Sequence, residues 1–230
     1  MRRYAIYFMP KETDDLWRFG SSVLQYDAVS RQAVDPPAHP LFAGGDFQAL
    51  TREPRRYGFH ATLKAPFELA VGVSEGDLQQ AAADFAVRQK CFSIGPLDVA
   101  NLGSFIALVP RIKSAALHAL ADACVISFDR FRAPLTAEDR ERRQPSRLTP
   151  RQVDHLDRWG YPHVFEDFRF HMTLTGSVPD SHRAKLRQAL DDLYTPIAAP
   201  LGIDGIAVFQ QNDGGECFEV LRRFDFGNGN

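Results

Sequence analysis

Phe59-His60-Ala61-Thr62-Leu63 and Phe170-His171-Met172-Thr173-Leu174 are near-copies of one another in a chain of 230 residues. Each supplies a His and a Thr at i and i+2, the spacing that sets both side chains on one face of a β-strand about 7 Å apart. One His-x-Thr triplet arises readily by chance. Its recurrence inside the same Phe-His-x-Thr-Leu frame points to a single site built from both copies. Two imidazoles can serve as acid and base near neutral pH, because an unperturbed pKa of about 6.5 keeps both protonation states within reach. Cleavage of a phosphodiester or cyclic phosphate needs that pair: a base for the attacking water or hydroxyl, and an acid for the departing oxygen. No metal is then required. The non-bridging oxygens stay negative throughout and need fixed donors, a role open to the stiff β-branched Thr62 and Thr173.

The same alternation carries the motif faces on to Lys64 beyond Thr62 and to Thr175 beyond Thr173. Backwards, Arg169 shares parity with His171, and Arg56 with His60 if its strand begins early enough. One or more of Lys64, Arg56 and Arg169 is expected to hold the phosphate. Tyr57 and Phe168 precede the motifs and are of a type that either stacks on a base or sugar or packs in the core. Phe59 and Phe170, on the opposite strand face, are expected in the core. His39, His118, His155, His163 and His182 have no matching partner pattern, and no spacing among them suggests a metal ligand set.

Composition bounds what surrounds these residues. With 27 Lys and Arg against 29 Asp and Glu the formal charge is −2, so no global field recruits nucleic acid or an anionic membrane. Hydrophobic residues make up 44% of the chain, ample material for a buried core. Cys91, Cys124 and Cys217 are odd in number and widely spaced, which suits a reducing compartment. No apolar run approaches the roughly 18 residues of a membrane span, and the N-terminal run is too short for a signal peptide. The expectation is a cytoplasmic protein without a membrane partner.

The positioning elements follow from local signals. Residues 3 to 9 read as a strand ending at Pro10, and Glu12 to Asp27 as a helix, with Gly20 inside it. Ala28 to Arg56, with Pro36, Pro37, Pro40, Gly44 and Gly45, reads as a long loop of the kind that forms lids or binding loops. The first motif strand spans about Gly58 to Phe67. Ser74 and Asp77 resemble a capping box opening a helix to about Lys90. Phe92 to Pro110 reads as two strands around Asn101-Leu102-Gly103, and Ile112 to Phe131 as a helix. The charged run within residues 132 to 147 reads as a solvated helix face. Thr149-Pro150 starts a helix to about Trp159. The second motif strand is expected over Asp167 to Val178, a helix over Pro179 to Tyr194, and a terminal hairpin from Gly202 to Gln211 and Cys217 to Phe224 around Asn212-Asp213-Gly214-Gly215. A strand bearing the motif, then a helix, then a pair of strands occurs twice, a duplicated α+β lobe.

Paired His-x-Thr triplets on strands, here His60-Ala61-Thr62 and His171-Met172-Thr173, resemble the two-histidine (2H) phosphoesterase superfamily. The wider strings, residues 56 to 67 and 168 to 176, are similar to a bacterial branch associated with phosphonate-metabolism genes. The resemblance covers most of the chain, and its motifs are specific for the superfamily and weak for substrate. It implies a single bilobal α+β domain over residues 1–230, with two antiparallel sheets facing a central groove and helices outside. By the same resemblance His60 and His171 would be the catalytic acid and base and Thr62 and Thr173 would bind the phosphate at the catalytic site, with metal-independent chemistry; strand parity and position add Tyr57, Lys64, Arg56, Arg169 and Thr175 as expected substrate-binding residues, and no cofactor is expected. The implied activity is metal-independent hydrolysis of a cyclic phosphate or phosphodiester of a small nucleotide or ribosyl phosphate. Two alternatives stand beside it: a non-catalytic phosphate- or nucleotide-binding module, and an RNA 2′,3′-cyclic phosphodiesterase or ligase-like enzyme.

Overall fold

The computed structural model describes residues 2–143, 148–212 and 215–227. The end of the charged run (144–147) and the centre of the terminal turn (213–214) lie outside the described residues.

β1 (Arg3–Phe8) is followed by α1 (Asp15–Leu24), which buries Trp17, Phe19, Val23 and Leu24. Gly20 sits on the buried side of α1 because the ring of Phe59 lies against it. A Cβ there would come within 2.2 Å of that ring, so the glycine that weakens the helix also admits the first motif. A short hairpin of β2 (Tyr26–Asp27) and β3 (Gln32–Ala33) opens the Pro/Gly-rich stretch. That stretch is not one long loop: α2 (Gly45–Arg55) occupies its second half with Pro54 inside it. Proline has no N–H and frees a carbonyl one turn back; the carbonyl of Leu50 instead accepts the N–H of Gly176, at 2.6 Å.

β4 (Ala61–Phe67) carries the first motif, and α3 (Glu75–Val87) starts on a complete Ser74/Asp77 capping box. β5 (Phe92–Ile94), β6 (Leu97–Leu102) and β7 (Phe105–Pro110) replace the two strands expected there. α4 (Ala115–Phe128), the short α5 (Ala137–Arg142) and α6 (Pro150–Trp159), capped by Thr149 and Gln152, come next. The second motif strand, β8, is only Met172–Thr173. The ladder ends there because the N–H groups of Leu174 and Thr175 both turn to the single carbonyl of Ile106, at 2.9 and 3.1 Å. α7 (Asp180–Tyr194), β9 (Leu201–Ile203), β10 (Gly205–Gln211) and β11 (Glu219–Asp225) complete the chain.

The architecture is α+β. Its main antiparallel sheet runs β11-β10-β1-β4-β8-β7-β6 and consists of two halves, β11-β10-β1-β4 and β8-β7-β6, joined at one register pair, Ala61 with Met172. The hairpin after each motif strand belongs to the opposite half: β6–β7 flanks β8, and β10–β11 flanks β1. β5 and β9, equivalent strands of the two copies, pair with each other in a small separate sheet. The duplication therefore interleaves, and the two motif strands become neighbours.

Candidate active site

The single pair Ala61–Met172 fixes the site. Both residues are fully buried, as are Phe59, Leu63, Phe170 and Leu174 on the same parity, so the two His and two Thr share the opposite face. Extending the antiparallel register by one residue each way sets His60 opposite Thr173 and Thr62 opposite His171. Cross-strand neighbours have Cβ atoms about 4.5–5.5 Å apart. Four side chains, two of each kind, thus form a diagonal tile around a local pseudo-dyad.

Both imidazoles are held alike. Nδ1 of His60 lies 2.9 Å from the carbonyl oxygen of Gly58, and Nδ1 of His171 lies 2.7 Å from that of Arg169. A carbonyl only accepts, so each Nδ1 carries the proton and each Nε2 is left to do chemistry. Gly58 adopts φ +69°, a left-handed conformation that glycine takes without strain. Nε2 of His60 lies 3.1 Å from Oγ1 of Thr62, whose hydroxyl donates to it when the ring is neutral.

The surroundings differ. His60 stacks on Tyr7, ring centroids 3.7 Å apart and 19° from parallel, with Tyr57 and Phe209 at 6.4 and 6.2 Å. Tyr7 pairs with Thr62 across β1 and β4. His171 meets Phe105 at 5.8 Å and lies in the wall of a cleft of about 890 Å³. Burial pushes the pKa of His60 down to about 3, with the charge of His171 adding to the effect. Burial also lowers His171, helped by Arg169 and His163. Both shifts favour the neutral form of the rings.

The structure places the remaining predicted residues as follows. Tyr57 is half-buried and stacks on Phe218 at 5.5 Å. The Arg56 guanidinium comes within 3.9 Å of Glu53. Arg169 is exposed on the cleft wall beside His171, and Phe168 lines the same cleft. Lys64 and Thr175 are corrections. Lys64 is 3% exposed, and its Nζ donates to Asp129 at 3.0 Å and to the carbonyl of Val125 at 3.2 Å, tying β4 to α4. Burial draws its pKa down against the pull of Asp129. Burial of Asp129 is in turn outweighed by Arg132 and Lys64, which hold that carboxyl low. Thr175 is fully buried; its hydroxyl accepts from the N–H of Ile106 at 3.0 Å and donates to the carbonyl of Gly176 at 2.9 Å. Parity was right for both, but other elements cover them.

Sequence reasoning missed Tyr7, read only as part of a strand, because nothing in β1 announces which residue faces Thr62. It also set aside His118 and His163, which line the cleft with Phe105, Lys113 and Tyr161. They come from α4 and a loop, with no shared motif. Among the described residues, no three His, Cys, Asp or Glu side chains are grouped so as to hold a metal ion, and no helix is long and apolar enough to cross a membrane.

Duplicated Phe-His-x-Thr-Leu segments meet in an α+β framework, the arrangement expected from the resemblance to the two-histidine phosphoesterases. The chain belongs to the DUF1045 family, whose model, described as a protein of unknown function, matches residues 62–219. It is 36% identical over 98% of its length to a ribose 1,5-bisphosphate phosphokinase PhnN of Janthinobacterium sp. (strain Marseille), covering 51% of that protein. It is 33% identical over 96% of its length to the protein of the same name from Laribacter hongkongensis (strain HLHK9), again covering 51%. The chain thus spans about half the length of the curated relatives it matches. Among solved structures, E. coli LigT complexed with 3′-AMP aligns over 98% of both chains, at 12% identity and a TM-score of 0.45.

Proposed function

We propose that this chain is a metal-independent phosphodiesterase that hydrolyses a cyclic phosphate or phosphodiester of a small nucleotide or ribosyl phosphate. The observation that carries the reading is the register of β4 against β8, which sets two identically oriented imidazoles diagonally across a tile completed by two hydroxyls. A phosphoryl group over this tile receives hydrogen bonds from Thr62 and Thr173 on its non-bridging oxygens. One Nε2 takes a proton from water as the new O–P bond forms. The other Nε2–H gives its proton to the oxygen leaving on the far side of phosphorus. The imidazoles thus exchange protonation states, and the proton taken up by the first returns through solvent before the next turnover. Because burial favours the neutral form of both rings, the substrate's negative charge supports uptake of the proton that the acid must carry.

The cleft favours a small substrate over an RNA chain. Its wall mixes Lys113 and Arg169 with Glu166 and Asp167, whereas a strand-tracking groove would be basic throughout. The relatives' name concerns ribose phosphates, which supports including ribosyl phosphates. The kinase activity of that name has no counterpart in this reading, since these 230 residues contain no Gly-Lys pair of a phosphate-cradling Gly-rich loop.

The test is turnover of 2′,3′-cyclic nucleotides, ribosyl cyclic phosphates and short RNAs ending in cyclic phosphate, with EDTA present. Wild type is compared with His60→Ala and His171→Ala. Cleavage of a small member, lost in both variants, is the expected result. A strict requirement for added divalent metal would overturn the mechanism.

A further inference from the structure

The second motif is held by less of the sheet than the first. His171 precedes a strand of two residues, whereas His60 precedes one of seven. The imidazole of His171 is oriented by the carbonyl of Arg169, 2.7 Å from Nδ1, and neither Arg169 nor Phe170 belongs to a strand. The place of that carbonyl is therefore set largely by the residues before it.

Those residues are clamped by α6. Arg151, Gln152, His155 and Trp159 stand at i, i+1, i+4 and i+8, within about 100° of one another on the helix, and all four meet the turn Phe165–Asp167. Arg151 grips the Asp167 carboxylate with both prongs of its fork, Nε to Oδ2 and Nη2 to Oδ1, each at 2.9 Å. Such bidentate pairs fix direction as well as distance. Gln152 Nε2 donates to the same Oδ1 at 3.3 Å. The rings of His155 and Trp159 stand edge-on to Phe165, at 5.6 and 5.1 Å.

The turn is strained where it is gripped. Phe165 has φ +53°, a left-handed conformation that bulky residues avoid and that persists only where the surroundings over-determine it. The N–H groups of Asp167 and Phe168 close the turn on the carbonyls of Val164 and Phe165, at 3.1 and 2.8 Å. Phe168 then meets His118 edge-on at 5.5 Å, and the next carbonyl is that of Arg169. The clamped carboxylate thus stands two residues before the carbonyl that orients His171. Asp167 and Gln152 line the cleft, whereas Arg151 and His155 lie outside its wall. Replacing Arg151 therefore acts on the site through Asp167.

We propose that Asp167, held by Arg151, is a positioning residue: the pair fixes the segment Phe165 to Arg169 so that the Arg169 carbonyl keeps His171 protonated on Nδ1, with Nε2 free for chemistry. The catalytic consequence rests on the two-histidine reading. The orientation of the ring does not.

Orientation is read without turnover, from the imidazole nitrogen resonances of the ¹⁵N-histidine-labelled protein at about pH 8, where neutral rings report their tautomer. The signals are assigned with His60→Ala and His171→Ala. His60 is the internal control, because the carbonyl that holds it belongs to Gly58, outside the clamp. In wild type both rings should be Nδ1–H tautomers. In Arg151→Ala, at a side chain more than half exposed, His171 should pass to a mixture with about a third or more of the Nε2–H form, with His60 unchanged. Asp167→Asn should behave alike, since it keeps the side chain's shape and loses the charged fork. Arg151→Lys, which restores the charge without the fork, should fall between wild type and Arg151→Ala. On the cyclic phosphate that wild type cleaves fastest, Arg151→Ala should lower kcat by about 10- to 10²-fold with KM changed less than about threefold, and Arg151→Lys should recover part of the loss. A His171 ring that stays Nδ1–H in both Arg151→Ala and Asp167→Asn overturns the proposal. So does an equal change at His60 and His171, which would mean general loosening of the fold. If wild type cleaves no cyclic phosphate, the two-histidine reading fails and the tautomers alone decide the clamp.

Discussion

The same pentapeptide frame folds twice in this chain into two different environments. The first copy runs into a seven-residue strand flanked on both sides by the sheet, with His60 just before the strand, after a left-handed glycine, and its imidazole stacked on a buried tyrosine. The second spans a two-residue strand that leaves the ladder at once, with His171 just before it and its imidazole in the wall of a cleft. The pentapeptide determines which side chains share a face. Everything beyond that, including solvation, stacking and access, comes from elements distant in sequence. A duplicated motif can therefore supply two chemically distinct histidines.

The comparison breaks most visibly if either histidine is dispensable. His60→Ala and His171→Ala are each expected to lower kcat by about 10²–10⁴ while circular dichroism and thermal melts stay near wild type, because both rings are half-buried beside the hydrophobic core rather than part of it. Unfolding of both variants would mean that the pair is structural.

The equivalent positions Lys64 and Thr175 extend the comparison to the next residue on each face, where the two copies share burial but not chemistry. Removing Lys64 leaves Asp129 with Arg132 alone in a half-buried site, and breaking a buried ion pair costs about 3–5 kcal/mol. Lys64→Ala should therefore lower the denaturant midpoint sharply, while the KM of the remaining folded protein changes less than about threefold. A tenfold rise in KM at unchanged stability would return Lys64 to the phosphate.

How far all this was legible from sequence depends on the range of the interaction. α3 and α6 could be read closely because capping boxes are written within four residues. α2 was hidden by Gly44, Gly45 and Pro54, and it stands because Gly176, far along the chain, takes the carbonyl that Pro54 frees. β8 was read too long because an apolar run does not reveal that two successive N–H groups will turn to one carbonyl. At the site, the shared parity of His60, Thr62, His171 and Thr173 was legible as strand alternation. The cover over Lys64 and the stack on His60 were not, since Asp129 and Tyr7 reach them only through tertiary packing.

Gly20 probes the first copy from behind. An added methyl would meet the Phe59 ring at 2.2 Å, and Phe59 adjoins His60 on the chain. Overpacking of this kind costs about 1–3 kcal/mol, more than the roughly 1 kcal/mol of helix propensity gained by Gly→Ala can offset. Gly20→Ala should be destabilised in urea and should lose turnover beyond its loss of folded protein. A variant that is more stable than wild type would show that Phe59 moves aside freely.

The smallest expected effect concerns the proton itself. His60 is held at about 3 in the folded state against about 6.5 when unfolded. Between those values the unfolded chain binds a proton that the folded chain refuses. Its contribution to stability is therefore complete above pH 6.5 and is lost as the pH falls towards 3, at up to about 1.4 kcal/mol per unit. His60→Gln cannot titrate, so its stability should fall less steeply than that of wild type between pH 6 and 4.5, in urea titrations at matched ionic strength. Parallel curves would mean that the folded state does not exclude a proton from the imidazole at position 60, and the buried setting of the first copy would lose its electrostatic consequence.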